Sequence, residues 1–261
     1  MPELLVPLLC MLLTGAPFAW RLSKSKPPRE VGYKMSLADF FMASGFVVFA
    51  VLLGSLFGQD AAELLGFEGE SAAIAGSSIM HVSAIILMAV FICKSDSKPS
   101  FFSDLGILRR VKIFCKGAGY LLGFFLCIVS VSALWGEFLT SLGFEVQEQP
   151  MVEYFGESEG APRVLAFFAI AFFAPVAEEL VFRGVMYGAL KDKLGGVFAA
   201  VIVSAVFALI HFSLIAILPI FLLSIVLIAL YERYADLTAP IAAHCAFNTI
   251  MAVMILLRGE L

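Results

Sequence analysis

Residues 164–190 read VLAFFAIAFFAPVAEELVFRGVMYGAL. A hydrocarbon layer about 30 Å thick is crossed by roughly 20 apolar residues in a helix, and this run exceeds that length while holding Glu178, Glu179 and Arg183 inside it. Each such charge opposes insertion by roughly 2.5–3.5 kcal/mol even on the lenient scale. The stretch therefore predicts a helix in lipid with a polar site built into it.

The rest of the chain repeats the pattern. Of 261 residues, 61% are hydrophobic and 15% charged, against about 25% charged in an ordinary soluble domain. Apolar runs fall at 4–20, 36–58, 71–93, 117–141, 164–190, 197–212, 214–231 and 238–257. The fold class they predict is all-α, a polytopic membrane bundle of about eight transmembrane helices. We read residues 1–160 as about four amino-terminal helices and residues 161–261 as the site-bearing helices of the same integral membrane unit. The sixth and seventh runs nearly touch across His211 to Ser213, so one of them is expected to be a half-span or a tight hairpin. The first run is read as a retained helix, because its positive charges follow it and Glu3 sits where a signal peptide carries basic residues.

Loop charge sets the expected orientation. The loops at 21–34 and 94–116 are rich in Lys and Arg, whereas the loops between them and after them carry Asp60, Glu63, Glu68, Glu70, Glu145 and Glu148. By the positive-inside rule the basic loops are cytoplasmic, which leaves both termini outside and Lys191, Lys193 and Arg233 inside. Nothing resembles a basic patch for nucleic acid. The five cysteines, Cys10, Cys93, Cys115, Cys127 and Cys245, show no CxxC spacing and read as packing residues.

On a helix, Glu179 and Arg183 are four residues apart and share a face in the favourable acid-before-base order. Glu178 is left without that partner, so Glu179 reads as structural and Glu178 as chemical. His211 follows Phe207 by four residues, and Asn248 follows His244 by four, again one helical turn in each case. Imidazole exchanges protons near neutral pH, although a histidine in an apolar helix also serves simply as an interhelical hydrogen-bonding group. His81 has no polar companion and reads as a packing or loop-proximal residue. A free carboxylate, two imidazoles and a carboxamide facing one interior are the parts amide hydrolysis requires: a base for water, a proton donor for the amine, and donors for the oxyanion. Other membrane-protease chemistries find no match. No HExxH is present, Gly76-Ser77-Ser78 is not a Gly-x-Ser-Gly, and Asp39 and Asp236 lie at edges or in loops and so make no aspartyl dyad.

These residues resemble the CPBP membrane proteases, also called the Abi or type II CAAX prenyl endopeptidase family. Its pattern, EExxxR, FxxxH and HxxxN or HxxxD on successive membrane helices, is matched by Glu178-Glu179 with Arg183, Phe207 with His211, and His244 with Asn248. The resemblance covers about residues 160–257. It implies an intramembrane endopeptidase of about eight helices with a cavity in the bilayer. Glu178 and His211 would activate water, His244 and Asn248 would hold the oxyanion, and Glu179, Arg183 and Phe207 would support the site. The family is often classed as metalloproteases. Here Glu178, His211 and His244 could hold zinc with an open position, or act directly. The expectation is chemistry that requires no metal, since Asn248 beside His244 suits an oxyanion hole better than a ligand sphere. The implied partners are a peptide or membrane-protein tail as substrate and the lipid bilayer. The alternatives are a non-proteolytic scaffold, immunity or regulatory protein and, less in keeping with the absence of a second copy of the polar motifs, a transporter.

Overall fold

The computed structural model describes residues 37–94, 107–144 and 150–259. The expected span at 4–20 and the basic loop at 21–34 lie outside them. Every regular element among the described residues is helical: α1 (Leu37–Leu64), α2 (Glu70–Lys94), α3 (Ile107–Ser141), α4 (Pro150–Glu157), α5 (Gly160–Leu194), α6 (Gly196–Leu209), α7 (Leu214–Tyr234) and α8 (Thr238–Gly259). Five of these contain segments long and apolar enough to cross a membrane: Ser71–Phe91, Ile107–Ser141, Gly160–Leu194, Leu214–Tyr234 and Thr238–Leu257. The chain is an integral membrane protein of the all-α class. The sixth apolar run forms the short helix α6, whose 14 residues rise about 21 Å, less than the hydrocarbon thickness.

Lipid gives no hydrophobic drive for one helix to leave it for another, so close packing must hold the bundle together. Between α1 and α2 this is done by small residues. Gly54, Gly58 and Ala62 recur every four residues along α1, and a Cβ on Gly76 of α2 would come within 2.6 Å of the Gly58 backbone. Ala62 also packs against Ala72 and Ala75. The helices that carry the polar motifs meet around Leu180, Phe182, Val203, Phe207, Ile228 and Ile241, all buried. On its other side α8 packs, with α7, against α3 through Leu121, Phe124, Leu227, Ala239 and Ala243. Large apolar side chains such as Leu122, Leu126, Phe198 and Ile202 face outward, as a lipid-exposed surface requires.

Polar contacts tie the helix ends on one side. Gly195, at φ +80°, ends α5 in a conformation that favours glycine, and α6 begins at the next residue. Near that corner, Tyr187 Oη and Lys191 Nζ both donate to Oε1 of Glu232 at 2.8 and 2.5 Å, joining the ends of α5 and α7. The Arg233 guanidinium lies 5.0 Å from the Tyr120 ring of α3. The carboxy ends of α5 and α7 and the early part of α3 thus share one side, which also carries Arg109, Arg110, Lys112 and Lys116.

Gly117 sits where α3 crosses the start of α8, and a Cβ there would overlap the carbonyl oxygen of Ala239. Gly119, on the same helix, faces open space. Alanine is favoured over glycine in helices by about 1 kcal/mol, so Gly119→Ala should leave thermal unfolding in detergent unchanged or raise it slightly. Gly117→Ala should lower stability by about 1–3 kcal/mol through overpacking. Equal melting temperatures for the two variants would contradict the close crossing.

Candidate active site

Helix α5 is not regular where it carries the charges. It widens into π-helix at Ala169–Phe173 and again at Leu180–Tyr187, with α-helix between them over Ala174–Glu179. Such insertions are found often at functional sites. The first has a readable cause and consequence. The N–H of Ala174 bonds the carbonyl of Ala169, five residues back, so the next carbonyl, that of Ile170, would need an N–H at position 175. Pro175 has none. The carboxamide of Asn248 supplies the missing donor from α8, Nδ2 to Ile170 O at 2.8 Å.

Glu179 and Arg183 form a fully buried ion pair, Nη1 to Oε1 at 2.8 Å. The same carboxylate oxygen also accepts from His244 Nδ1 at 2.8 Å. Arg183 reaches further, its Nη2 donating to the hydroxyl of Ser224 at 2.8 Å and to the Ser224 carbonyl at 3.3 Å. Its guanidinium lies 4.7 Å from the centre of the Phe207 ring, in range of a cation–π attraction. Phe207 is fully buried, and both motif imidazoles contact its ring, with centroid separations of 5.0 Å for His211 and 5.9 Å for His244. Phe207 is therefore the common wall between the two histidines.

Glu178 faces a different neighbour. Its Oε2 lies 3.7 Å from Nε2 of His244, and its side chain is 21% exposed where that of Glu179 is fully buried. Helical spacing left Glu178 without a partner on its own helix, and α8 provides one. Because a carboxylate only accepts, Nδ1 of His244 is the donor to Glu179, and Nε2 is the nitrogen left to face Glu178.

His211 stands just beyond the end of α6 rather than on its face. The helix closes at Leu209, and the His211 N–H turns to the Ala208 carbonyl, three residues back. That leaves the carbonyl of Phe207, which the His211 side chain takes through Nδ1 at 2.7 Å. A carbonyl accepts only, so Nδ1 carries a hydrogen and Nε2 is the nitrogen not engaged by that bond. Phe212 follows with φ +49°, uncommon for a residue with a side chain. Irregular backbone at bilayer depth is tolerated where it is covered by protein or lines water. His81 stays apart from this constellation, bonded to the Ser77 carbonyl of its own helix.

Among the described residues, no three His, Cys, Asp or Glu side chains are placed to hold a metal ion. In His211 and His244 Nδ1 is committed within the protein and Nε2 is not, a pattern that a directly acting imidazole shares with a metal-ligating one. Ser224 was missed in reading the sequence. Its one signal there is that it is polar inside the apolar run 214–231.

A family model described as "Type II CAAX prenyl endopeptidase Rce1-like" matches residues 160–250. The chain is also 34% identical over 80 residues to a Bacillus subtilis (strain 168) protein named "Putative membrane peptidase YdiL". That match covers 31% of this chain and 33% of the relative, so the chain spans about a third of that relative's length. No solved structure matches the chain. The matched region holds every site residue described above, so it is over residues 160–250 that the chain is similar to the type II CAAX prenyl endopeptidase Rce1-like family.

Proposed function

We propose that the chain is an intramembrane endopeptidase of the CAAX prenyl protease type, hydrolysing peptide bonds of a peptide or membrane-protein tail with water activated by Glu178 and His211. The observation that carries this reading is the pairing of Glu178, partly exposed, with the Nε2 of a His244 whose other nitrogen is held by Glu179. A general base must reach the proton it abstracts, and a third group that fixes the tautomer of an imidazole is the usual sign of proton-transfer chemistry. Glu178 takes a proton from water as the oxygen attacks the scissile carbonyl carbon, and His211, through Nε2, orients that water. His244 takes part as the imidazolium, its Nδ1–H on Glu179 and its Nε2–H donated to the oxyanion, and the proton held at Glu178 passes to the leaving amine as the C–N bond breaks. Glu179, Arg183 and Ser224 keep the imidazole in place.

The two adjacent glutamates separate this mechanism from a scaffold. Glu178→Gln should insert and melt like the parent, while turnover of library peptides, read by mass spectrometry, falls by about 10²-fold or more. Glu179→Gln leaves a buried guanidinium unpaired, a loss of about 3–5 kcal/mol, so yield or melting temperature should fall, and Arg183→Ala should resemble it. Wild-type turnover by Glu178→Gln would sink the mechanism.

The reaction is further proposed to require no metal, with Glu178 and His211 acting on water directly. Extensively dialysed protein should retain its peptide turnover after chelation, with metal content measured on the same sample. Activity that disappears and returns in step with one equivalent of zinc would reverse this.

The side shared by Lys191, Glu232 and the early part of α3 is proposed as cytoplasmic, with both termini outside. Single cysteines introduced at positions 28 and 150 of a cysteine-free protein in intact cells should be labelled by an impermeant reagent at 150 and not at 28. The opposite pattern would invert the orientation.

A further inference from the structure

The resemblance gives the carboxamide of Asn248 an oxyanion role, but its observed bond points elsewhere. Nδ2 donates to the Ile170 carbonyl of α5, at 2.8 Å. That carbonyl has no donor within its own helix, since the N–H of Ala174 is taken by Ala169 and the next residue is Pro175. We propose that Asn248 is a positioning residue: it docks α8 on the carbonyl that Pro175 leaves free, and so sets His244 against Glu178 and Glu179.

Two physical reasons support the assignment. A backbone carbonyl without a donor inside a bilayer is costly, so whatever satisfies it is held firmly. Asn248 also lies one turn from His244 on the same face of α8, while Ile170 lies eight residues before Glu178 on α5. The Glu179–His244 bond and the Asn248–Ile170 bond therefore attach the same two helices at two points. One attachment would leave α8 free to rotate or slide; two fix its register, and with it the approach of Nε2 to Glu178. The proline is thus the feature that creates the anchor.

The inference deepens the peptidase reading, and its kinetic arm rests on that reading, whereas its stability arm does not. The test is a double-mutant cycle in purified full-length protein. Pro175→Ala restores an N–H to the helix, and the Ile170 carbonyl then finds a donor whether the segment stays π or relaxes to α. Asn248→Ala alone should lower the melting temperature by roughly 2–8 °C. It should also lower kcat by roughly tenfold or more, with KM little changed, on an internally quenched peptide that the wild-type protein cleaves. In the Pro175→Ala background the same substitution should lose less than about half of each effect. Asn248→Leu, which is close in size and has no donor, provides a second cycle if the alanine variant does not fold. A melting-temperature loss equal in both backgrounds would show that the carboxamide is not held by this carbonyl. An undiminished loss of kcat in the Pro175→Ala background would show that Asn248 meets the reacting atoms, and either result overturns the proposal. Should the wild-type protein cleave no peptide, the peptidase reading fails, and the melting-temperature cycle still decides the anchor.

Discussion

Oε1 of Glu179 accepts from Arg183 on its own helix and from His244 on α8, with both bonds at 2.8 Å and the carboxylate fully buried. The other three helices of the site depend on that atom. Arg183 carries the connection to Ser224 on α7 and to the face of Phe207 on α6, and His244 turns its remaining nitrogen toward Glu178. Taking a lone ion out of water into such an interior would be prohibitive, and a buried pair is strongly destabilised when either member is removed. The network is therefore cooperative: each member is tolerable because the others are in place. Two consecutive residues differ in their surroundings, since Oε1 of Glu179 is taken up by these bonds while Glu178 keeps an exposed edge.

Backbone irregularity delivers the remaining groups. In α5, a widened turn followed by Pro175 leaves the Ile170 carbonyl for a side chain of another helix to satisfy. At the end of α6, the tight closing turn leaves the Phe207 carbonyl, and the His211 imidazole takes it. In both places the backbone gives up a helical hydrogen bond and a site side chain replaces it. The replacement orders the side chain, and for His211 it also selects which ring nitrogen is free. A regular helix would have satisfied both carbonyls internally and left the two side chains with nothing to fix their rotamers.

Around this polar centre the bundle is packed by means suited to lipid. Small residues let α1 approach α2 and let α3 approach the start of α8, so dispersion contacts hold helices that have no water to escape. Polar and aromatic residues collect at the side where α5 and α7 end, where Lys191, Tyr187 and Glu232 meet. That corner anchors the two helices whose Arg183 and Ser224 meet deeper in the bundle.

Contacts between neighbours in the chain were legible in the sequence. The apolar lengths of the described spans set the all-α membrane class. The Glu179–Arg183 pair and the contact of Phe207 with His211 follow from four-residue spacing, because one helical turn brings those side chains together wherever the helix lies. Even there the reading was incomplete, since His211 touches Phe207 from beyond the helix end, a closure that hydrophobic periodicity does not encode. Tertiary structure decided what crosses between helices. The bonds of Arg183 to Ser224, His244 to Glu179 and Asn248 to Ile170 join residues 41, 65 and 78 positions apart. Apolar spans are hydrophobic on all sides, so their composition leaves the rotation and register of one helix against another open. Only the packed bundle, in which buried donors and acceptors must find each other, selects the arrangement that puts Glu178 opposite a histidine.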